Sequence, residues 1–222
     1  MSYVITIDGP AGAGKSTAAK EVARRLGISY LDTGAIYRAV ALILYESEVP
    51  AVDGYIMREA LSKIRIELRN KSVFVNGFDV TGEIRTPMVD ELASMYSAIP
   101  SVRKALLSLQ KDQEKHGSFV AEGRDVGSVV FPDAEAKFFL TASPEARAKR
   151  RYSERVSKGK PADYDEILRA IIDRDKNDST REVAPLTVPK NAVYVDTSDM
   201  TEEQAVQFIL DKVKEVIPNE AK

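Results

Sequence analysis

Five short apolar runs, each of strand length, recur along the chain with helix-period patterns between several of them. The runs are Tyr3–Ile7, Ile28–Leu31, Ser118–Ala121, Ala136–Leu140 and Ala192–Val195, and they read as strands buried on both faces. From Ser16 to Leu26 the residues Ala19, Val22, Ala23 and Leu26 share one helical face, and Gly27 is the stop signal. Ser143 is placed to cap a helix that has Pro144 at its first position and runs to about Tyr152. Thr201, with Gln204 three residues on, opens a last helix to Ile217 through a capping box. Strands alternating with helices predict a parallel sheet covered on both faces, with ligands beyond the carboxyl ends of its strands.

The stretch from about Ala39 to Ile99 breaks this alternation. Ile64–Leu68 and Val73–Val75 alternate as half-buried strands do, and Asn70-Lys71 and Asn76-Gly77 offer turn chemistry. An inserted lobe of helix and antiparallel sheet is expected there, over about 39–99, within a single domain spanning 1–222 whose core is about 1–38 and 100–222. The polar, helix-breaking run Ser157-Lys158-Gly159-Lys160-Pro161 marks a second mobile element. The longest wholly apolar or aromatic run, Ala39–Tyr45, is far short of the ~20 residues a membrane helix needs. No basic region and apolar stretch precede a cleavage site at the N-terminus, so a cytoplasmic protein without a membrane partner is expected. A net charge of −2 disfavours a general nucleic-acid binder. The lack of cysteine removes disulfides, thiolate metal sites and a cysteine nucleophile. The single histidine, His116, lies in a charged run and is given no role.

The chemistry concentrates in Gly9-Pro10-Ala11-Gly12-Ala13-Gly14-Lys15-Ser16-Thr17, which fits G-x-x-x-x-G-K-[ST] between a predicted strand and a predicted helix. Glycines let the backbone turn its N–H groups inward around a phosphate chain, and the positive helix end favours the same anion. Lys15 can reach the β- and γ-phosphates, and the Ser16 hydroxyl can join a Mg²⁺ shell. Asp79-Val80-Thr81-Gly82 matches a GTPase switch pattern, but no N-K-x-D guanine reader follows it. The arginines point to phosphoryl transfer, because their planar forks bind phosphate oxygens bidentately. Arg38 lies just beyond the second strand and Arg124 just after the third. Arg174, Asp178 and Arg181 fall at i, i+4 and i+7, on one face if that helix persists. Arg147, Arg151 and Arg155, with Arg150 nearby, have the spacing of a solvated face or of a phosphate-facing one. Glu122, at the end of the third strand, suits a Walker-B carboxylate that holds Mg²⁺ directly or through water.

At Leu31–Arg38, Glu122–Asp125 and Asp173–Leu186, and through Val80–Thr86, Val129–Ala134 and Val183–Leu186, the chain resembles the bacterial-type cytidylate kinase family. The resemblance covers nearly the whole chain. It implies a P-loop NTPase-type five-stranded parallel sheet flanked by helices, an inserted α/antiparallel-β acceptor-binding lobe and a short lid near 151–165. It implies transfer of a phosphoryl group from ATP to CMP or dCMP with Mg²⁺. By motif match, Ser94 and Arg103 would contact the cytosine, with Asp125 near its amino group and Arg181 helping to fix the base. An arginine and a carboxylate suit the two ends of that edge, which offers acceptors at O2 and N3 and a donor amine. Thr33, Tyr37 and Asp178 would hold the nucleoside. Asp178 and Arg174 would reach the sugar, with Arg174 also toward phosphate, while Arg38 and Arg124 would grip the CMP phosphate. Lys15 and the lid arginines Arg150 and Arg151 would cover the ATP phosphates, closing with the lobe to exclude water. The family more often carries aspartate where Glu122 stands, and serine is also common where Thr33 stands; Thr33 is equally placed to cap a helix. The residues taken without the resemblance leave open a P-loop kinase for UMP, AMP or shikimate, or a nucleotide-dependent switch. The protein is expected to act as a monomer.

Overall fold

The computed structural model describes residues 2–69 and 72–217 of the 222. The Asn70-Lys71 turn expected from the sequence lies outside the described residues. The chain separates into two compact units, one of Met1–Leu31 with Glu114–Lys222 and the other of Asp32–Gln113.

The first unit is built on a parallel sheet of five strands: β1 (Val4–Asp8), β2 (Ser29–Asp32), β6 (Phe119–Gly123), β7 (Ala136–Thr141) and β8 (Val193–Asp196). Their spatial order is β2-β6-β1-β7-β8, as the apolar runs predict. β1 is central, with Ile7 against Glu122 of β6 on one side and Phe138 of β7 on the other. One face of this sheet packs against α1 (Lys15–Leu26) and α8 (Glu202–Val216). Ile5, Ile7, Val120, Phe138, Leu140 and Val195 meet Ala19, Val22, Ile209 and Val213 there in one buried core. The ends of these helices follow the sequence. Gly27 closes α1 at φ 67°, donating to Ala23 O and Arg24 O, and Thr201 and Gln204 form the full capping box.

Two differences from the sequence reading have simple causes. β6 continues two residues past Ala121, because the buried sheet accommodates Glu122 and Gly123 at its ligand edge. The helix capped by Ser143, α6 (Pro144–Ser157), runs a turn past Tyr152, since Ala148 packs with Ile167 and Ile171 of α7 (Tyr164–Thr180) in a small core of their own.

The second unit joins five helices and turns to a three-stranded antiparallel sheet. In chain order these are α2 (Thr33–Glu46), α3 (Tyr55–Ser62), strands β3 (Ile66–Arg69), β4 (Ser72–Val75) and β5 (Phe78–Asp79), a 3₁₀ turn at Glu83–Arg85, α4 (Pro87–Tyr96) and α5 (Pro100–Lys111). Asn76 and Gly77, at φ 51° and 86°, make the β4–β5 turn. Val73 and Val75 pack with Ala35, Ala39, Leu42, Ile84 and Val89 as this unit's core. Asp32, not Thr33, caps α2, its carboxylate accepting from Ala35 N at 2.8 Å. Thr33 is therefore the first helical residue, and it is buried.

Candidate functional site

The phosphate loop occupies the turn from β1 into α1. Gly9, Gly12 and Gly14 all have positive φ. The constraint is hardest at Gly9, where a Cβ would lie 1.8 Å from the Leu140 carbonyl oxygen, so no side chain fits. Lys15, at the start of α1, is buried and donates from Nζ to Pro10 O at 2.7 Å. Burial, helped by the neighbouring Arg124 charge, lowers its pKa to about 7. A triphosphate would add negative charge to the little that Glu122 and Asp178 give this ammonium, so ATP binding at pH 8 should draw a proton onto the protein. ATP affinity should fall as pH rises from 7.5 to 9, where ATP itself is fully ionised. Calorimetric titration in buffers of different ionisation heat would register the proton; observed heats that do not vary with the buffer would contradict it.

Beyond the carboxyl end of β6, Arg124 donates from Nε to Asp178 Oδ2 at 2.8 Å. Asp178, in the last turn of α7, is buried and also lies 3.7 Å from Arg181 Nη1. Arg181, the residue just past α7, has Nη2 3.4 Å from Asp125 Oδ1. Arg124, Asp178, Arg181 and Asp125 thus form one alternating chain of charge. Burial disfavours the charged form of Asp178, but Arg124, Arg174 and Arg181 outweigh it and hold its pKa below the usual carboxylate range. Arg174 is half-buried on the same helix. The helix carries the i and i+4 members, Arg174 and Asp178, but ends at Thr180, so Arg181 joins them from the extended residue just past it and not by helical spacing.

Glu122 is buried at the strand end and accepts from the Tyr30 hydroxyl at 2.6 Å. Ser16 is exposed at the start of α1. Among the described residues no group of three or more acidic, histidine or cysteine side chains could enclose a metal. One hydroxyl and one carboxylate fit a Mg²⁺ that keeps its waters and leans on substrate phosphates, as that ion prefers.

On α6, Arg150 donates to the carbonyls of Thr197 and Ser198 and to Thr197 Oγ1, and Thr197 Oγ1 in turn bonds Ala13 O of the phosphate loop at 3.3 Å. Arg151 is half-buried beside it. Arg147 is the departure from a solvated arginine face. It is 2% exposed, and its guanidinium donates to Ala142 O, to Ala11 O of the phosphate loop and to both oxygens of Asp175.

In the second unit, Arg38 on α2 donates from Nε to Asp90 Oδ1 at 2.8 Å, with Asp32 Oδ1 3.8 Å from its Nη1. Arg103 on α5 is buried, donates to Ser97 O and lies over the Tyr37 ring at 5.2 Å. Ser94 is half-buried on α4. The fold brings Tyr37 to Arg103, while Thr33, Arg38 and Ser94 sit on α2 and α4 of the same unit. Tyr30 and Asp8 escaped the sequence reading, and Arg147 proves neither solvated nor phosphate-facing but buried against Asp175 and the loop carbonyl of Ala11. Asp8 is wholly buried at the end of β1 and accepts from the backbone N–H groups of Val126 and Gly127. An acidic residue closing an otherwise buried strand was the available signal.

A phosphate-wrapping loop, a buried lysine and a charge chain of arginine and aspartate at one sheet edge define a P-loop nucleotide-binding protein of the phosphotransferase kind. The sequence model for cytidylate kinase matches residues 5–215. The chain is 51% identical over 215 residues to a cytidylate kinase of Fervidobacterium nodosum, covering 97% of this chain and 98% of that one. It is 46% identical over 213 residues to the cytidylate kinase of Mycobacterium leprae, covering 96% of each. An uncharacterized protein from Eubacterium ventriosum, 13% identical, shares the fold at a TM-score of 0.53 over 97% of this chain and 99% of its own. The chain belongs to the cytidylate kinase family. No helix among the described residues is long and apolar enough to cross a membrane.

Proposed function

We propose that this protein transfers the γ-phosphoryl group of ATP to the 5′-phosphate of CMP or dCMP, giving ADP and CDP or dCDP. The observation that carries the reading is the Arg124–Asp178–Arg181–Asp125 chain in the unit that holds Lys15, within a chain matched end to end by cytidylate kinases. The acceptor oxygen is already anionic, so the protein needs no general base. Its work is positioning and charge neutralisation.

The triphosphate of ATP is assigned to residues Gly9 to Thr17, with Lys15 on the transferring group and Arg150 and Arg151 over the phosphates. For that role Arg150 has to exchange its Thr197 and Ser198 carbonyls for phosphate oxygens. Ser16 and Glu122 would hold Mg²⁺, directly or through water, and the ion would supply charge neutralisation on the phosphates. The CMP phosphate is assigned to Arg38 and Arg124, and the sugar to Arg174 and Asp178. The base is assigned to Ser94, Arg103, Asp125 and Arg181, with Thr33 and Tyr37 against the nucleoside. Asp90 and Asp178 support this reading, because each hydrogen-bonds a guanidinium that a phosphate could compete for. Within the same proposal the protein is a cytoplasmic monomer whose lid spans about 151–165.

ADP release measured with CMP, dCMP, UMP, AMP and shikimate in turn tests the acceptor. CMP or dCMP should lead; failure of both to accelerate ATP consumption would sink the reading. Arg103→Met should erode the preference for CMP over UMP by about 10- to 100-fold, since a site built to pair a polar edge loses its discrimination with that pairing. An unchanged ranking of acceptors would remove Arg103 from the base.

A further inference from the structure

Asp8 ends β1 immediately before the phosphate loop, and no step above uses it. Its side chain is wholly buried, and both carboxylate oxygens are committed to backbone donors more than a hundred residues away. Oδ1 accepts from Val126 N at 2.7 Å, and Oδ2 from Gly127 N at 2.8 Å. These two N–H groups open the π-helical turn Val126–Val130, so the carboxylate caps from another strand a turn whose first donors need partners. Val126 directly follows Asp125, and Asp125 directly follows Arg124. The fit is close: a Cβ on Gly127 would lie 2.5 Å from Thr6 Oγ1 and 3.0 Å from Asp8 Oδ2.

The other end of Asp8 is just as fixed. Its neighbour Gly9 passes so near the Leu140 carbonyl that the start of the phosphate loop has no room to shift toward β7. A single acceptor would set only a distance between β1 and the turn. Two acceptors on adjacent N–H groups also set the orientation of the turn.

We propose that Asp8 is a positioning residue for the acceptor: its two-oxygen grip on Val126 and Gly127 holds Arg124 and Asp125 in register with the phosphate loop. The proposal rests on the assignment of CMP to Arg124 and Asp125. Asp8 touches neither nucleotide and acts only through that turn.

Asp8→Asn keeps the shape but turns an NH₂ donor toward a backbone N–H, so one arm of the grip is lost. Gly127→Ala pushes the turn away from Thr6 and Asp8. Both variants should raise KM for CMP at least tenfold and lower kcat. Binding of ATP alone, measured by titration without CMP, should change less than twofold. In the unmodified protein, CMP alone should slow hydrogen exchange at the Val126 and Gly127 amides, a readout that does not depend on either variant folding. Equal losses toward ATP and CMP, an unaltered KM for CMP in a folded variant, or unchanged exchange at both amides would overturn the proposal. Arg124→Ala run alongside separates the two failures. If it leaves KM for CMP unaltered, the CMP assignment is at fault; if it raises KM while Asp8→Asn does not, the fault lies with Asp8.

Discussion

Replacing Lys15 with methionine should nearly abolish CMP-dependent ADP formation while raising the melting temperature. The loss, about 10³-fold in kcat, is the size expected when a preorganised cation facing developing charge is removed. The gain comes from the same burial. The ammonium sits where desolvation lowers its pKa from 10.5 to about 7, so the folded protein bears a cost for holding it charged. That cost is fully present below pH 7 and fades as pH rises toward 10.5, because the unfolded chain there still binds a proton that the folded chain has released. The melting-point advantage of Lys15→Met should accordingly be largest near pH 6 and shrink through pH 8 and 9. The orphaned Pro10 carbonyl offsets part of it. At roughly 2–4 °C per kcal/mol for a chain of this size, calorimetry resolves the trend. A variant that keeps its activity would refute the lysine's role, and one whose melting point falls at every pH would refute the account of its burial.

Arg124→Ala should lower kcat/KM for CMP by about 10²- to 10³-fold, the range for truncating one partner of a largely desolvated, hydrogen-bonded charge pair that would also face a ligand. The two substrates should respond in opposite senses. Arg124 is one of the charges that depress Lys15, so without it Lys15 holds its proton to higher pH, and ATP alone at pH 8 should bind no more weakly than before. Titration of each nucleotide separately checks this. Parallel weakening of both would place Arg124 on the donor rather than the acceptor.

The parts of the site legible in the sequence are those carried by short-range pattern. The strand, glycine loop and helix around Lys15 are contiguous, so the spacing alone places the lysine. Arg174 and Asp178 share a face because helical period is a local property, whereas Arg181 meets Asp178 from just past the helix end. The Ser143-Pro144 start and the Thr201–Gln204 box signal themselves for the same reason. Thr86-Pro87 carries the same start signal, and it does open α4, with Thr86 accepting from Val89 N. Helix α3 was harder to read, since Met57 is its one buried residue. The partners of Arg147 and Asp8 are illegible for a different reason. Each residue is decided by a partner far along the chain: Asp175 and the Ala11 carbonyl for one, and the amides of Val126 and Gly127 for the other. A strip of arginines at helical spacing looks solvent-facing until the second helix that covers it is in place.

Arg147 also ties together pieces that would otherwise move separately. Its guanidinium joins the base of α6 to α7 through Asp175, to the end of β7 through Ala142 and to the nucleotide loop through Ala11. Above that knot, Ala148, Ile167 and Ile171 make the two helices a single lever with its own small core. Helices α6 and α7 and the nucleotide loop are thus fastened together at one buried guanidinium.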